Sequence, residues 1–296
     1  MPSLKEVRNR ITSVNSTQQV TKAMKMVSAA KLRRATDRIV QLRPFENRLS
    51  AIISNLSANL GDSLDLALSR PNGSKDVLIV AITSDRGLCG AFNTNITRQV
   101  MHLTQTRFAE AHRNGDVHLL CVGKKGCEFF SRRGYNVIER YQDLFQHLDF
   151  ESVAEAANYA INSYLAAEYA EVVLVYNEFK NVATQVVVTE QMLPLASAPA
   201  DATSTATSSD YILEPNAATI VEELIPRMLR TKFYKALLES NASEHGARMT
   251  AMDKATENAG ELLKQLRITY NRSRQAAITK EILEIVGGAE ALASGK

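Results

Sequence analysis

What this chain lacks limits what it can be. No stretch of about eighteen apolar residues occurs, so the sequence offers no helix to span a bilayer. It opens on a helix start rather than an apolar leader, so neither a secretory signal nor a transit peptide is read; a bacterial source is expected, although a processed organellar chain would look alike. Only three cysteines are present, Cys89, Cys121 and Cys127, an odd number without metal-ligand spacing, and they read as reduced core residues of a cytosolic compartment. Cys121 and Cys127 could form a redox pair, but one lies at the end of an expected strand and the other in the helix that follows.

Catalytic signatures are missing too. The five histidines, His102, His112, His118, His147 and His245, are scattered, with no H-E-x-x-H and no carboxylate at ligand spacing. No G-x-S-x-G elbow occurs. The turn Ser84-Asp85-Arg86-Gly87-Leu88-Cys89-Gly90 follows a strand, where nucleotide-binding folds place a phosphate loop. It lacks both G-x-x-x-x-G-K-[ST] and G-x-G-x-x-G, and Gly123-Lys124-Lys125-Gly126 also falls short of a Walker loop. Both are expected to be tight strand-to-helix turns that need glycine. No catalytic residue, cofactor site or metal site of the chain's own is therefore expected.

What is present is helix at both ends. Ser3 to about Leu60 contains no glycine and repeats apolar residues at steps of three and four: Leu4, Val7, Ile11, Val14, Val20, Met24, Val27, then Ala35, Leu42, Phe45, Leu49, Ile52 and Leu56. Ser3 and Glu6 read as a capping box, and Pro44 as a bend rather than a stop. A second periodic stretch runs from about Ala217 to Val286 through Leu224, Met228, Met249, Met252, Ala259, Leu263, Leu266 and Tyr270. Neither stripe can be buried alone, so the two ends are expected to pack as an antiparallel coiled coil. About 55 helical residues would make a shaft of about 80 Å, which points to a bridging or mechanical role rather than a pocket.

Between the helices the pattern changes. Residues 61–75 read as a linker. Val77–Thr83 is a continuous apolar run of strand length, and Val117–Val122, Val172–Asn177 and Ala183–Leu193 read as further strands. Helices are expected over Asn93–His112, Lys125–Arg132 and Val153–Ala167, and a loop over Ala196–Ser209. Strands alternating with helices imply right-handed crossovers and a mostly parallel sheet. The expected fold class is α/β: a coiled coil of residues 1–60 and 215–296, an inserted Rossmann-like domain over 75–195, and a loop and foot segment over 196–214.

The net charge of +3 hides an asymmetry. Residues 1–48 carry eleven Lys or Arg against three acids, a net of +8, whereas residues 139–223 carry fourteen acids against Arg140 and Lys180, a net of −12. A basic shaft calls for an acidic partner: nucleic acid, an anionic membrane or an acidic protein surface. The plain alternative is a solvated helix face. Against a nucleic-acid binder, the basic stretch lacks a base-reading motif and interleaved stacking aromatics. Near the C-terminus, the stripe thins over Arg272–Lys280 into small and polar residues, the composition of a helix face that leaves one partner and meets another surface.

Three segments together resemble the gamma-subunit family of F-type ATP synthases, the central rotor shaft. They are Leu4-Lys5-Glu6-Val7-Arg8-Asn9-Arg10-Ile11 continuing to Thr17–Val27 and Lys31, the turn Thr83–Gly90, and Tyr270-Asn271-Arg272-Ser273-Arg274-Gln275-Ala276-Ala277-Ile278-Thr279-Lys280-Glu281. The resemblance implies a non-catalytic shaft inside a hexamer of alternating alpha and beta subunits, one copy per complex. The α/β domain would sit on the membrane rotor ring beside epsilon, at the cytoplasmic face of a bacterial inner membrane, without membrane insertion and without nucleic acid. It further implies that Arg274, Gln275 and Thr279 contact beta-subunit loops and that Met24 and Lys25 face an acidic beta loop. Arg33 and Arg34 are expected to add to that basic surface. Tyr211 and Glu214 match foot residues near the ring or epsilon. The acidic insertion with a cysteine pair that chloroplast members carry is missing, so thiol regulation is not expected.

Overall fold

The computed structural model describes residues 3–60, 68–182, 184–195 and 217–295. Its elements, in chain order, are α1 (Leu4–Leu60), β1 (Val77–Ile82), α2 (Phe92–Gln105), α3 (Ala109–Asn114), β2 (Val117–Val122), α4 (Lys124–Ser131), β3 (Asn136–Ile138), a 3-10 turn (Leu144–Gln146), α5 (Phe150–Leu165), β4 (Glu171–Phe179), β5 (Gln185–Leu193) and α6 (Ala217–Ser294). The chain divides into two compact units, residues 1–27 with 249–296, and residues 28–248.

In the first unit α1 and α6 run antiparallel. The Glu6 backbone amide donates to Ser3 Oγ at 3.2 Å, half of the expected capping box, while the Glu6 carboxylate pairs with Arg10 one turn on. In this unit Leu4, Val7, Ile11, Val14, Gln18, Thr21 and Lys25 of α1, all buried or half-buried, follow alternating steps of three and four, with Met24 half-buried beside them. Met252, Thr256, Ala259, Leu263, Leu266, Tyr270, Ser273 and Ala277 of α6, again buried or half-buried, follow the same alternation. Both are heptad seams, but their meeting near Thr21 is polar: Thr256 Oγ1 donates to Thr21 Oγ1 at 2.8 Å, and Gln18 Nε2 donates to the Thr256 carbonyl at 3.3 Å. The sequence stripe needs correcting here, because Val20 and Val27 are each 57% exposed. They lie one position to the side of the seam, which passes through hydrogen-bonding residues that hydropathy cannot single out.

In the second unit the sheet order is β3-β2-β1-β4-β5, parallel except for the antiparallel edge strand β5. All six β1 side chains are buried, as the uninterrupted apolar run requires of a strand covered on both faces. On one face Leu78, Val80 and Ile82 pack with α5 through Val153 and Ala157 and with α6 through Leu229 and Phe233. On the other, Ile79 and Ala81 pack with Ile96 and Val100 of α2 and Phe130 of α4. The result is a three-layer sandwich in which α6 supplies part of one layer.

Other expectations change at their edges. The helix expected over Asn93–His112 is two helices. The Phe108 amide reaches the Leu103 carbonyl at 2.9 Å, the Thr106 hydroxyl caps the His102 carbonyl, and Phe108 turns into the core, ending α2. Strand β3 was not expected, because three residues carry too little periodicity. α1 continues through Pro44, and α6 contains Pro226 and runs to Ser294, beyond the expected Val286. The loop read over Ala196–Ser209 lies outside the described residues.

Candidate functional site

In a doubly wound sheet, ligands bind beyond the carboxyl ends of the strands, at the point where the strand order reverses. Here that point lies between β1 and β4. The turn 83–90 leaves β1 at this position, so its chemistry can be examined atom by atom.

The amides that would cradle a phosphate are already taken by the chain. At the N-terminus of α4, Lys124 N donates to Asp85 Oδ1 at 3.3 Å, Lys125 N to the Ser84 carbonyl at 3.1 Å, and Gly126 N to Thr83 Oγ1 at 2.9 Å. The Ser84 amide is held by Asn93 Oδ1 at 3.0 Å. The glycines serve close packing: a Cβ on Gly126 would lie 2.6 Å from Thr83 Oγ1, and one on Gly123 would run into the Thr83 carbonyl. Burial raises the Asp85 carboxyl above its ordinary value, and the Lys124 amide opposes it.

Helix α6 covers the same place. Arg248 NH2 donates to the carbonyls of Arg86 and Gly87 at 3.0 and 3.3 Å, and Nε also points at Gly87 O. Arg248 NH1 pairs with Glu244 Oε1 at 2.7 Å and lies 3.4 Å from His245 Nδ1. One helical turn earlier, Ser243 Oγ donates to the Asn177 carbonyl at 3.0 Å, and Glu239 Oε2 accepts from the Phe179 amide at 2.9 Å, both at the carboxyl end of β4. These α6 side chains are all buried. Burial pushes the Glu244 carboxyl up, only partly offset by Arg248, and holds His245 down at about 4, with Arg248 and Lys31 adding to the effect. The crevice is filled by a polar lattice of the chain's own helix.

Cys121 and Cys127 are buried free thiols packed on the sheet, with Cys127 Sγ directed at the Cys121 carbonyl at 3.7 Å, and the neighbouring Cys127 thiol, with burial after it, raises the Cys121 thiol. Among the described residues no cluster of His, Cys, Asp and Glu has the geometry of a metal site, and no helix is long and apolar enough to cross a membrane. A shallow depression of about 220 Å³ lies by Arg140, Asp143, His147 and Glu155.

The residues singled out for partner contact fall in different surroundings. In the first unit, Met24 and Lys25 are half-buried, and Lys25 is bound to Asp253 of α6. Arg274, Gln275 and Thr279 are exposed on α6, with the Thr279 hydroxyl donating to the Gln275 carbonyl at 3.0 Å. In the second unit, Arg33 and Arg34 are exposed. Tyr211 and Glu214 lie outside the described residues. Sequence reading missed Glu244 and Arg248, the latter bonded to carbonyls some 160 residues distant in the chain; charged residues within an otherwise buried helical stretch were the available signal. It also missed the end of the pairing. The register set by Thr21 with Thr256 brings Leu4 opposite Ser273, and from Ile278 to Glu290 every side chain of α6 is exposed, including Ile282, Leu283, Ile285 and Val286.

The ATP synthase family model matches residues 3–292. An ATP synthase gamma chain of Cytophaga hutchinsonii is 57% identical over 293 residues, 99% of each chain, and one of Chlorobaculum parvum is 50% identical over 292 residues at the same coverage. Among solved structures, the central stalk and c-ring of the Tetrahymena thermophila mitochondrial ATP synthase includes a chain 29% identical, with a TM-score of 0.58 over 80% of this chain and 99% of that one. A chain of the Euglena gracilis mitochondrial ATP synthase is 21% identical and shares the fold, with a TM-score of 0.66 over 99% and 95%.

Proposed function

Because the chain belongs to the ATP synthase gamma-chain family, and is thereby a non-catalytic subunit of the central stalk of an F-type ATP synthase, we propose how it engages its partners. The paired helices, residues 1–60 and 215–296, stand as a single shaft inside a hexamer of alpha and beta subunits. The domain over 75–195 and the segment 196–214 face epsilon and the membrane rotor ring, at the cytoplasmic side of a bacterial inner membrane. Met24, Lys25, Arg33, Arg34, Arg274, Gln275 and Thr279 meet the beta subunits, and Tyr211 and Glu214 meet the ring or epsilon. Neither nucleic acid nor membrane insertion has a part in this.

One observation carries the reading: the C-terminal part of α6 outruns α1 and leaves Ile278, Ile282, Leu283, Ile285 and Val286 in water. Apolar side chains on a helix that has no helix of its own to pack on call for a surrounding protein surface. The basic N-terminal helix adds electrostatic preference for an acidic one. A shaft that presents different side chains in different directions stabilises different conformations at each catalytic site it faces, so its rotation shifts their populations.

Co-purification of the tagged chain from native membranes tests this. Recovery with large nucleotide-binding subunits, and ATP hydrolysis that responds to proton flow only while the chain is assembled, is the expected result. Recovery of the chain alone, or with nucleic acid that salt removes, would refute it.

A further inference from the structure

Helix α6 meets the α/β domain in two chemically different ways. Across the sheet face the contact is mainly apolar, through Leu229, Phe233 and Leu237, with two bonds at its margins, Arg230 Nε to Asn158 Oδ1 at 2.7 Å and Lys232 Nζ to the Gln191 carbonyl at 3.0 Å. The hydrophobic term in such burial is strong but non-directional. At the carboxyl ends of β1 and β4 the contact is instead a set of directed bonds. Arg248 spends its guanidinium on three groups at once: the Glu244 carboxylate, the Arg86 carbonyl and the Gly87 carbonyl. Glu239 holds the Phe179 amide with one oxygen and Arg43 of α1 with the other, the latter at 3.4 Å.

We propose that the Glu244–Arg248 pair is the joint that carries twist between the α/β domain and α6, with Arg248 the positioning residue that fixes the turn 84–90 to the helix. This rests on the rotor reading above. The planar fork of arginine accepts a narrow range of geometries, so turning α6 about its axis breaks bonds to Arg86 and Gly87 together. The turn is itself stiff. Ser84 Oγ donates to the Arg86 carbonyl at 2.7 Å, Asn93 Nδ2 donates to Ser84 Oγ at 2.7 Å, and Leu88 is held at a φ of 63°. Twist applied to the domain therefore reaches α6 at this end through a set of bonds that a turn of the helix breaks together.

The test uses the complete ATP synthase in inverted membrane vesicles, comparing wild type with Arg248→Gln, Arg248→Lys and the double variant Glu244→Leu/Arg248→Met. The double variant leaves no buried unpaired charge, so the fold survives while the joint is lost. Assembly, ATP hydrolysis, protons pumped per ATP and hydrogen exchange at the amides of residues 86–90 are measured together. Expected are assembled complexes that hydrolyse ATP but pump about fivefold fewer protons per ATP, the lower end of a coupling between sites, with faster exchange in the turn and partial recovery in Arg248→Lys. Faster exchange with an unchanged pumping ratio would overturn the joint, as would failure of all three variants to assemble. If wild type itself did not co-purify with the synthase, the rotor reading would fall instead.

Discussion

Lys25 Nζ of α1 and Asp253 Oδ1 of α6 lie 2.5 Å apart, closing the polar stretch of the helix seam. Both side chains stay partly in water, so the pair contributes at most about 1 kcal/mol. Lys25 thus has a partner within the chain as well as the proposed acidic one outside it. Lys25→Glu, Arg33→Glu and Arg34→Glu should each lower ATP-driven proton pumping relative to hydrolysis, whereas Asp253→Ala should leave that ratio unchanged. Equal loss in Asp253→Ala would assign the Lys25 effect to the seam alone.

The seam also separates residues that hydropathy treats alike. Val7 is 1% exposed and Val20 is 57% exposed. Val7→Ala should destabilise the purified chain by about 2 kcal/mol. Val20→Ala should stay within about 0.5 kcal/mol. Urea midpoints decide the matter, and equal losses would restore the stripe as first read.

Gly123 has a φ of 94° and its missing Cβ would collide with the Thr83 carbonyl. Gly123→Ala therefore combines backbone strain with overpacking and should cost about 3 kcal/mol. Gly115, at a φ of 88° with open space around it, should lose only about 1 kcal/mol as alanine. Thermal denaturation of the two variants measures the difference, and equal shifts would show that the close approach is unimportant.

His245 gives the chain an acid sensitivity. Its folded value is lowered to about 4, by burial first and by the Arg248 and Lys31 charges after that. Between about 6.5 and 4 the unfolded chain binds a proton that the folded chain refuses, so this contribution is intact above about pH 6.5 and is lost at about 1.4 kcal/mol per pH unit below it. The raised Glu244 carboxyl works in the opposite direction, since it favours the folded state on protonation. Comparing urea midpoints of wild type and His245→Gln from pH 7.5 to 4.5 isolates the histidine: the variant should show a shallower fall, and parallel curves would refute it.

Much of this fold is legible because its signals are local. An uninterrupted apolar strand such as β1 advertises burial on both faces, and the heptad at Val7, Ile11 and Val14 advertises a helix pair. Legibility ends where a structure rests on distant or polar partners. Gln18 and Thr21 look like surface residues until Thr256 is placed opposite them. The break between α2 and α3 follows from Phe108 finding the core, which the residues around it do not announce. The turn 83–90 could be recognised as a string and cleared of phosphate chemistry by its missing motif, but its actual occupant, Arg248, cannot be inferred without the fold. The contacts assigned to Arg274, Gln275 and Thr279 came from resemblance, and their exposure leaves them available for such contacts.

Arg248 and Glu244 have one more consequence. A crevice that binds a diffusible molecule reports that molecule's concentration. Here the occupant is tethered to the domain it occupies, so its effective concentration is set by the backbone and does not vary with the composition of the cell. No metabolite can titrate it. In the proposed joint, mechanical work on α6 takes the place that a diffusible ligand holds where such a crevice is open.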